Sequence, residues 1–202
     1  MNISKRITFF LLVCFIFLPC IAHRHSGAYA AILENTSDYT DAEKLSRAVE
    51  YFQSGKYHEA LIWFSKLDKK YKLNPRFQAY MGVCCYYDGE YERAIEALEP
   101  IIPKLKAFAP HELAVYYYSV ADSYFRLNKY IDAVPFYEKH TLFCYNNEKG
   151  DSLFRIGICY RCLGDIEIAQ EYFVEALAYF RRYNDTDRLK YIERELERST
   201  DN

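Results

Sequence analysis

Four times along this chain a six-residue pattern returns: a turn residue, an aromatic or apolar residue two places on, and an alanine three further. It reads Gly55-Lys56-Tyr57-His58-Glu59-Ala60, Gly89-Glu90-Tyr91-Glu92-Arg93-Ala94, Asn128-Lys129-Tyr130-Ile131-Asp132-Ala133 and Gly164-Asp165-Ile166-Glu167-Ile168-Ala169. The four alanines are separated by 34, 39 and 36 residues. A period near 34 marks stacked helix–turn–helix units, each too small to bury its apolar face except against its neighbours. Such arrays present a long surface to a partner, so holding a partner is the first functional expectation.

The pattern predicts a helix A before each turn and a helix B after it. The first pair is expected over about 41–54 and 57–71, where Ala60, Leu61, Phe64 and Leu67 recur at helical spacing. Asn74-Pro75 closes that unit and opens the next, because Pro suits a first helical turn and breaks a preceding helix. The second pair is expected over 75–88 and 91–106, with Pro100 and Pro103 kinking or ending its B helix. The third is expected over 111–127 and 130–145 with a bend at Pro135, and the fourth over 148–163 and 166–183. The repeats thus read 41–74, 75–109, 110–147 and 148–183, preceded by a flexible lead-in over 31–40. Residues 184–202 form a charge-dense capping helix, about 186–199, and a tail. A polar terminal helix is what a repeat array needs to close its core.

Aligned on their turns, the four units resemble the tetratricopeptide repeat family. The fourth carries Leu153, Ile156-Gly157, Tyr160, Ala169, Phe173 and Ala176, and the second Met81-Gly82, Cys85, Ala94 and Leu98. The first offers Ala48, Tyr51, Ala60 and Phe64, and the third Ala121, Tyr124, Ala133 and Tyr137. Repeats one and three lack the helix-A glycine, and repeats two and three carry the extra prolines. The resemblance covers about 41–183. It implies an all-α, right-handed superhelical solenoid whose A helices line a concave groove for an extended peptide or partner helix. It places on that groove Leu45, Val49, Phe52, Ala79, Val83, Val115 and Asp151, together with ten candidate partner-binding residues: Arg76, Tyr86, Tyr87, Tyr118, Asp122, Arg126, Phe154, Arg155, Ile158 and Arg161. Tyr and Arg are enriched at interface hot spots, and Arg126, Arg155 and Arg161 are suited to hold a partner carboxylate. The chaperone-binding members clamp a carboxylate with Lys and Asn in the first repeat; Leu45 and Val49 stand there, so that role is not expected.

The amino-terminal segment is of another kind. Lys5 and Arg6 precede an apolar run from Ile7 to Ala22, and Ala28-Tyr29-Ala30 offers a small-residue cleavage site. That order reads as a secretory signal over 1–30, hence a periplasmic or secreted protein. The alternatives are an uncleaved membrane anchor and a lipid attached at Cys20. Residues 1–30 hold Lys5, Arg6 and Arg24 and no acid, so the remainder carries 23 basic against 28 acidic side chains, a formal −5. A mildly acidic domain lacks the basic footprint that nucleic-acid binding requires.

No chemistry of catalysis stands out. His58, His111 and His140 lie on different elements with no His-x-x-x-His spacing, and no phosphate-binding glycine loop or nucleophile motif is present. Acidic pairs such as Glu90 and Glu92 lie at turns and helix starts, where they complement the helix dipole. Of the cysteines after residue 30, Cys84, Cys85, Cys144, Cys159 and Cys162, the last two form a C-x-x-C. That motif falls at a helix C-terminus, where the dipole raises a thiol's pKa rather than lowering it. Cys144 is expected roughly 15–20 Å from Cys159 along the helix. The expectation is a non-catalytic protein–protein interaction scaffold with no cofactor and no metal. It carries two alternatives: an exported sensory module of a membrane-linked signalling system, and, third, a thiol-redox protein using Cys159 and Cys162.

Overall fold

The computed structural model describes residues 39–200 of the chain. The expected leader, its cleavage site and most of the lead-in lie outside the described residues. No described helix is long and apolar enough to cross a membrane. The chain divides into two compact units, Met1–Lys44 and Leu45–Asn202. In the first, Thr40 caps the start of a helix: its N–H and hydroxyl each donate to Glu43 Oε2 at 2.7 Å, and Glu43 N–H reaches Thr40 Oγ1 at 3.3 Å. This reciprocal pairing satisfies amides that the first helical turn leaves open.

Among the described residues there are nine α-helices and no strand. They are α1 (Asp41–Gln53), α2 (Tyr57–Tyr71), α3 (Pro75–Tyr87), α4 (Tyr91–Leu98), α5 (Pro110–Arg126), α6 (Tyr130–Phe143), α7 (Asn146–Leu163), α8 (Ile166–Arg182) and α9 (Thr186–Thr200). The fold is an all-α repeat array. From α2 onward each helix packs on the next, and α3 also touches α5, the A helix one repeat on.

The recurring hexapeptide has one structural meaning at all four sites. Its first residue sits in the left-handed region: φ is +74° at Gly55, +78° at Gly89, +58° at Asn128 and +93° at Gly164. That conformation suits glycine and is tolerated by asparagine. The residue after it donates its N–H five positions back, Lys56 to Tyr51, Glu90 to Cys85, Lys129 to Tyr124 and Asp165 to Tyr160, at 2.9 Å each. These are Schellman closures of helix A, consuming a carbonyl the helix end would leave open. The same residue's carbonyl then accepts the N–H of the pattern's alanine and so opens helix B. A fifth turn of this kind, with Asn184 at φ +55°, links α8 to α9.

The alanines are buried because helices cross over them. Ala60, Ala94, Ala133 and Ala169 are each 0 % exposed. Twelve residues before each stands a small residue on helix A (Ala48, Gly82, Ala121, Gly157), and four after it a large one on helix B (Phe64, Leu98, Tyr137, Phe173); all are buried. At two repeats the fit is close enough to demand glycine. A Cβ on Gly82 would meet Leu98 Cγ at 2.5 Å, and one on Gly157 would meet the Phe173 ring at 2.5 Å.

Proline explains where the units differ. Asn74 caps α3, accepting from Arg76 N–H at 3.0 Å and Phe77 N–H at 3.3 Å, with Pro75 in the first turn. Helix α4 ends at Leu98, well short of Lys106, and a 3-10 helix over Ile102–Leu105 follows. The interruption still serves the core, since Ile101, Ile102 and Leu105 bury their side chains there. Pro135, by contrast, lies inside α6 without ending it. Its missing N–H faces the carbonyl of Ile131, on the exposed side of the helix, where water is the alternative partner.

The capping helix is less polar than its charge run suggests. Ile192 is 0 % exposed and joins Phe173, Ala176 and Phe180 in the last core cluster. Glu195 is 2 % exposed and forms an ion pair with Arg161 of α7.

Candidate functional site

Helices α3, α5 and α7 are the A helices of repeats two to four; α5 and α7 line two cavities and α3 reaches one of them through Tyr87. The first, about 320 Å³, is lined by Tyr87, by Val115 and Tyr118 of α5, and by His140, Tyr145, Glu148 and Asp151, among others. The second, about 550 Å³, is lined by Tyr118, by Asp151, Phe154 and Arg155 of α7, and by Asp187, Arg188 and Tyr191 of α9. Tyr118 and Asp151 belong to both, so the two hollows adjoin. The wall so formed mixes exposed aromatic surface, Tyr87 at 54 % and Tyr191 at 45 %, with charge of both signs.

Behind this wall sits a buried carboxylate. Asp122 is 1 % exposed. Its Oδ2 accepts from Tyr86 Oη at 3.0 Å and from Arg126 Nε at 3.1 Å, while Oδ1 accepts from Tyr137 Oη at 2.9 Å. Arg155 Nε lies 3.8 Å from Oδ1. Burial, then the Asp122 charge, pushes the Tyr86 and Tyr137 phenols far above their usual range. The hydrogen bond to Asp122 raises Arg126 further. The hub is therefore a buried carboxyl group met by two neutral hydroxyl donors and two permanent cations.

The ten candidate residues separate accordingly. Tyr87, Tyr118, Phe154 and Arg155 line the two cavities. Tyr86, Asp122 and Arg126 meet in the hub, and Arg155 spans both settings, its guanidinium also lying 4.7 Å from the centre of the Phe125 ring. Arg161 pairs with Glu195, so Arg126, Arg155 and Arg161 each already face an acid of this chain. Ile158 is 9 % exposed and packs in the core with Phe173. Arg76 stands apart, fixed by two bonds to Glu112 at 2.7 and 2.9 Å and stacked over Phe108.

Several residues at the site escaped the sequence reading. Asp187, Arg188 and Tyr191 lie in the segment whose charge density suggests only a solvated cap, yet Arg188 reaches Asp151 at 3.0 Å. The signal missed is the Leu189–Ile192–Leu196 spacing, which turns one face of α9 inward and so aims the adjacent residues at the cavity. His140, Cys144 and Glu148 follow one another at intervals of four and converge at the α6–α7 corner. A search for paired histidines passes over a mixed set. His140 is buried and hydrogen-bonded to Ser152 Oγ at 2.7 Å, and burial holds its imidazole down to about 4.

The buried thiols are shifted away from activation. Burial, then the neighbouring Cys162, pushes Cys159 up to about 12, and burial pushes Cys85 up to about 11. A catalytic thiol needs the opposite shift.

The tetratricopeptide repeat profile matches residues 150–182. Among solved structures, the chain is similar to MamA AMB-1 at a TM-score of 0.59 and 15% identity, covering 78% of this chain and 90% of that one. MamA MSR-1 gives 0.57 and 15%, covering 80% and 97%. A putative kinesin light chain of Podosopora anserina with nearly identical TPR-like repeats gives 0.52 and 13%, covering 78% and 93%. No curated protein matches the chain. At such identities the likeness speaks to fold. Residues 150–182 are a tetratricopeptide repeat, and the helical array in which they stand has the tetratricopeptide-repeat fold.

Proposed function

We propose that this protein is a non-catalytic scaffold that holds an extended segment or helix of a protein partner along the A-helix wall. The observation that carries this reading is the pair of adjoining hollows sharing Tyr118 and Asp151 and flanked by the exposed rings of Tyr87 and Tyr191. Rigid aromatic surface gives contact area at small entropic cost, and flanking Arg and Asp side chains give register. The hub favours such a role, because Asp122 fixes the wall from behind while leaving its aromatic edge outward. A partner with apolar anchors spaced among polar residues of both signs fits this wall better than an acidic peptide, since the arginines are already paired internally. Export through residues 1–30 belongs to the same proposal and places the partner outside the cytoplasm.

The test is site-specific photo-crosslinking in the native compartment. Crosslinkers at Tyr87, Val115 and Tyr191 are expected to yield a common adduct. Crosslinkers at Ile131 and Val174, exposed on the B helices α6 and α8, are expected to yield none of it. The reverse distribution overturns the groove assignment.

A further inference from the structure

At the corner between α6 and α7 three side chains of three ligand types converge. His140 lies in the last turn of α6, Cys144 is the residue that ends that helix, and Glu148 lies in the first turn of α7. One ligand atom from each lies within 4.8 Å of the others. Within one continuous helix, residues four apart share a face. Here the backbone leaves the helix at Cys144 (φ −77°, ψ 167°) and re-enters α7 at Asn146, and the three still share a corner.

The distances suit a small, tetrahedral ion. Ligand bonds of about 2.0–2.3 Å imply donors roughly 3.3–3.8 Å apart around zinc. The three donors therefore need to draw in by about 1.5 Å at most, a rotamer-scale movement for a half-buried thiol and carboxylate. We propose that His140, Cys144 and Glu148 form a three-ligand site for a divalent transition-metal ion of the zinc class, at the corner joining the third and fourth repeats.

Chemistry selects the class of ion. One thiolate, one imidazole and one carboxylate are the ligand types of zinc sites, whereas calcium and magnesium take oxygen alone. The outer partners are also present. Ser152 Oγ holds His140 Nδ1 at 2.7 Å and so fixes the ring's rotation, and Glu148 Oε2 accepts the Tyr145 N–H at 3.1 Å. Second partners of this kind orient metal ligands and tune them. The edge of the Tyr118 ring closes one side, its centroid 5.2 Å from that of His140. His140 and Glu148 also line the smaller hollow, which leaves room for water as a fourth ligand. On binding, the Cys144 S–H bond is replaced by a sulfur–metal bond and the proton goes to solvent. The ion would brace the corner directly behind Tyr118, linking metal occupancy to the shape of the wall.

The experiment is a zinc titration of the full, reduced chain against a chromophoric chelator, with Co²⁺ as the spectroscopic probe. Wild type is expected to take one Zn²⁺ tightly at the corner and to show a thiolate-to-cobalt charge-transfer band. Cys144→Ser is expected to abolish that band, and Glu148→Gln to weaken zinc binding by at least about tenfold while keeping the band. The Cys159→Ser, Cys162→Ser double variant is expected to change neither. Helicity by circular dichroism accompanies each variant, and if Cys144→Ser loses helicity, Glu148→Gln alone decides. Unchanged affinity in Glu148→Gln, a band that survives Cys144→Ser, a band lost only with Cys159 and Cys162, or no zinc uptake by wild type each overturns the site.

Discussion

Asp122 ties four helices together through one carboxylate. Tyr86 reaches it from α3, Arg126 from its own α5, Tyr137 from α6, and Arg155 approaches from α7. The cost of removing it follows from what is left behind. Asp122→Ala takes the carboxylate acceptor from the buried Tyr137 phenol, the half-buried Tyr86 phenol and the Arg126 guanidinium. A broken buried charge network costs about 3–5 kcal/mol, and that loss is expected in urea unfolding. Tyr137→Phe removes one bond to the carboxylate and is expected to cost about 1.5–3 kcal/mol. An Asp122→Ala variant within about 1 kcal/mol of wild type would show that the hub carries no structural load. The resemblance implies a groove-facing Asp122, whereas the structure keeps it on an A helix but buries it behind the wall. What spacing does not reveal is the hydroxyl of Tyr137, because that position in the other repeats is held by Phe64, Leu98 and Phe173, which need no acceptor. One extra oxygen at an otherwise apolar site turned a surface-type acid into a buried one.

The turns explain why elements were more legible than side-chain partners. Each helix boundary at a repeat turn is set by local chemistry: a left-handed residue, a closing amide bond and a buried alanine, all within six residues. Such signals need no knowledge of the rest of the fold. They also permit a graded test. Gly164 has φ +93° with no atom within 4 Å of a would-be Cβ, so Gly164→Ala meets backbone strain and no clash. About 1–2 kcal/mol of destabilisation is expected. Asn128 already carries a side chain at φ +58°, and Asn128→Gly is expected to lie within about 0.5 kcal/mol of wild type. Thermal unfolding of the pair checks both, and equal effects would mean that the turns are not held in this conformation in solution. Proline was the weaker guide. The same rule applied to Pro100 and Pro135 gives opposite outcomes, since α4 ends before the first while α6 continues through the second. The difference is what surrounds them. The 101–105 segment has apolar side chains to bury once the helix stops, whereas α6 must continue to place Tyr137 and His140 in the interior.

At the scale of the Leu45–Asn202 unit, stability is a chain of nearest-neighbour interfaces, the last of those described being that of α8 with α9. Helix α9 closes the array by inserting Ile192 beside Phe173, Ala176 and Phe180 and by pairing Glu195 with Arg161. In a one-dimensional array each repeat leans on its immediate neighbours, so loss at one end need not reach the other. Ile192→Ala removes a fully buried side chain and is expected to cost about 2–5 kcal/mol. Where that cost appears is the more informative quantity. Hydrogen exchange is expected to lose protection in α8 and α9 and to remain unchanged in α2 to α4, since the variant frees the end to open locally. The hub sets the limit of this spread: α7 is held on its far side by Arg155 at Asp122 and by the α6–α7 corner, so opening should stop there. Uniform loss of protection from α2 to α9 would instead mean that the repeats unfold as one cooperative block, with Asp122 transmitting strain rather than containing it. In that case a partner seated on the wall would stabilise the entire unit; in the expected case it would stabilise chiefly the repeats it touches.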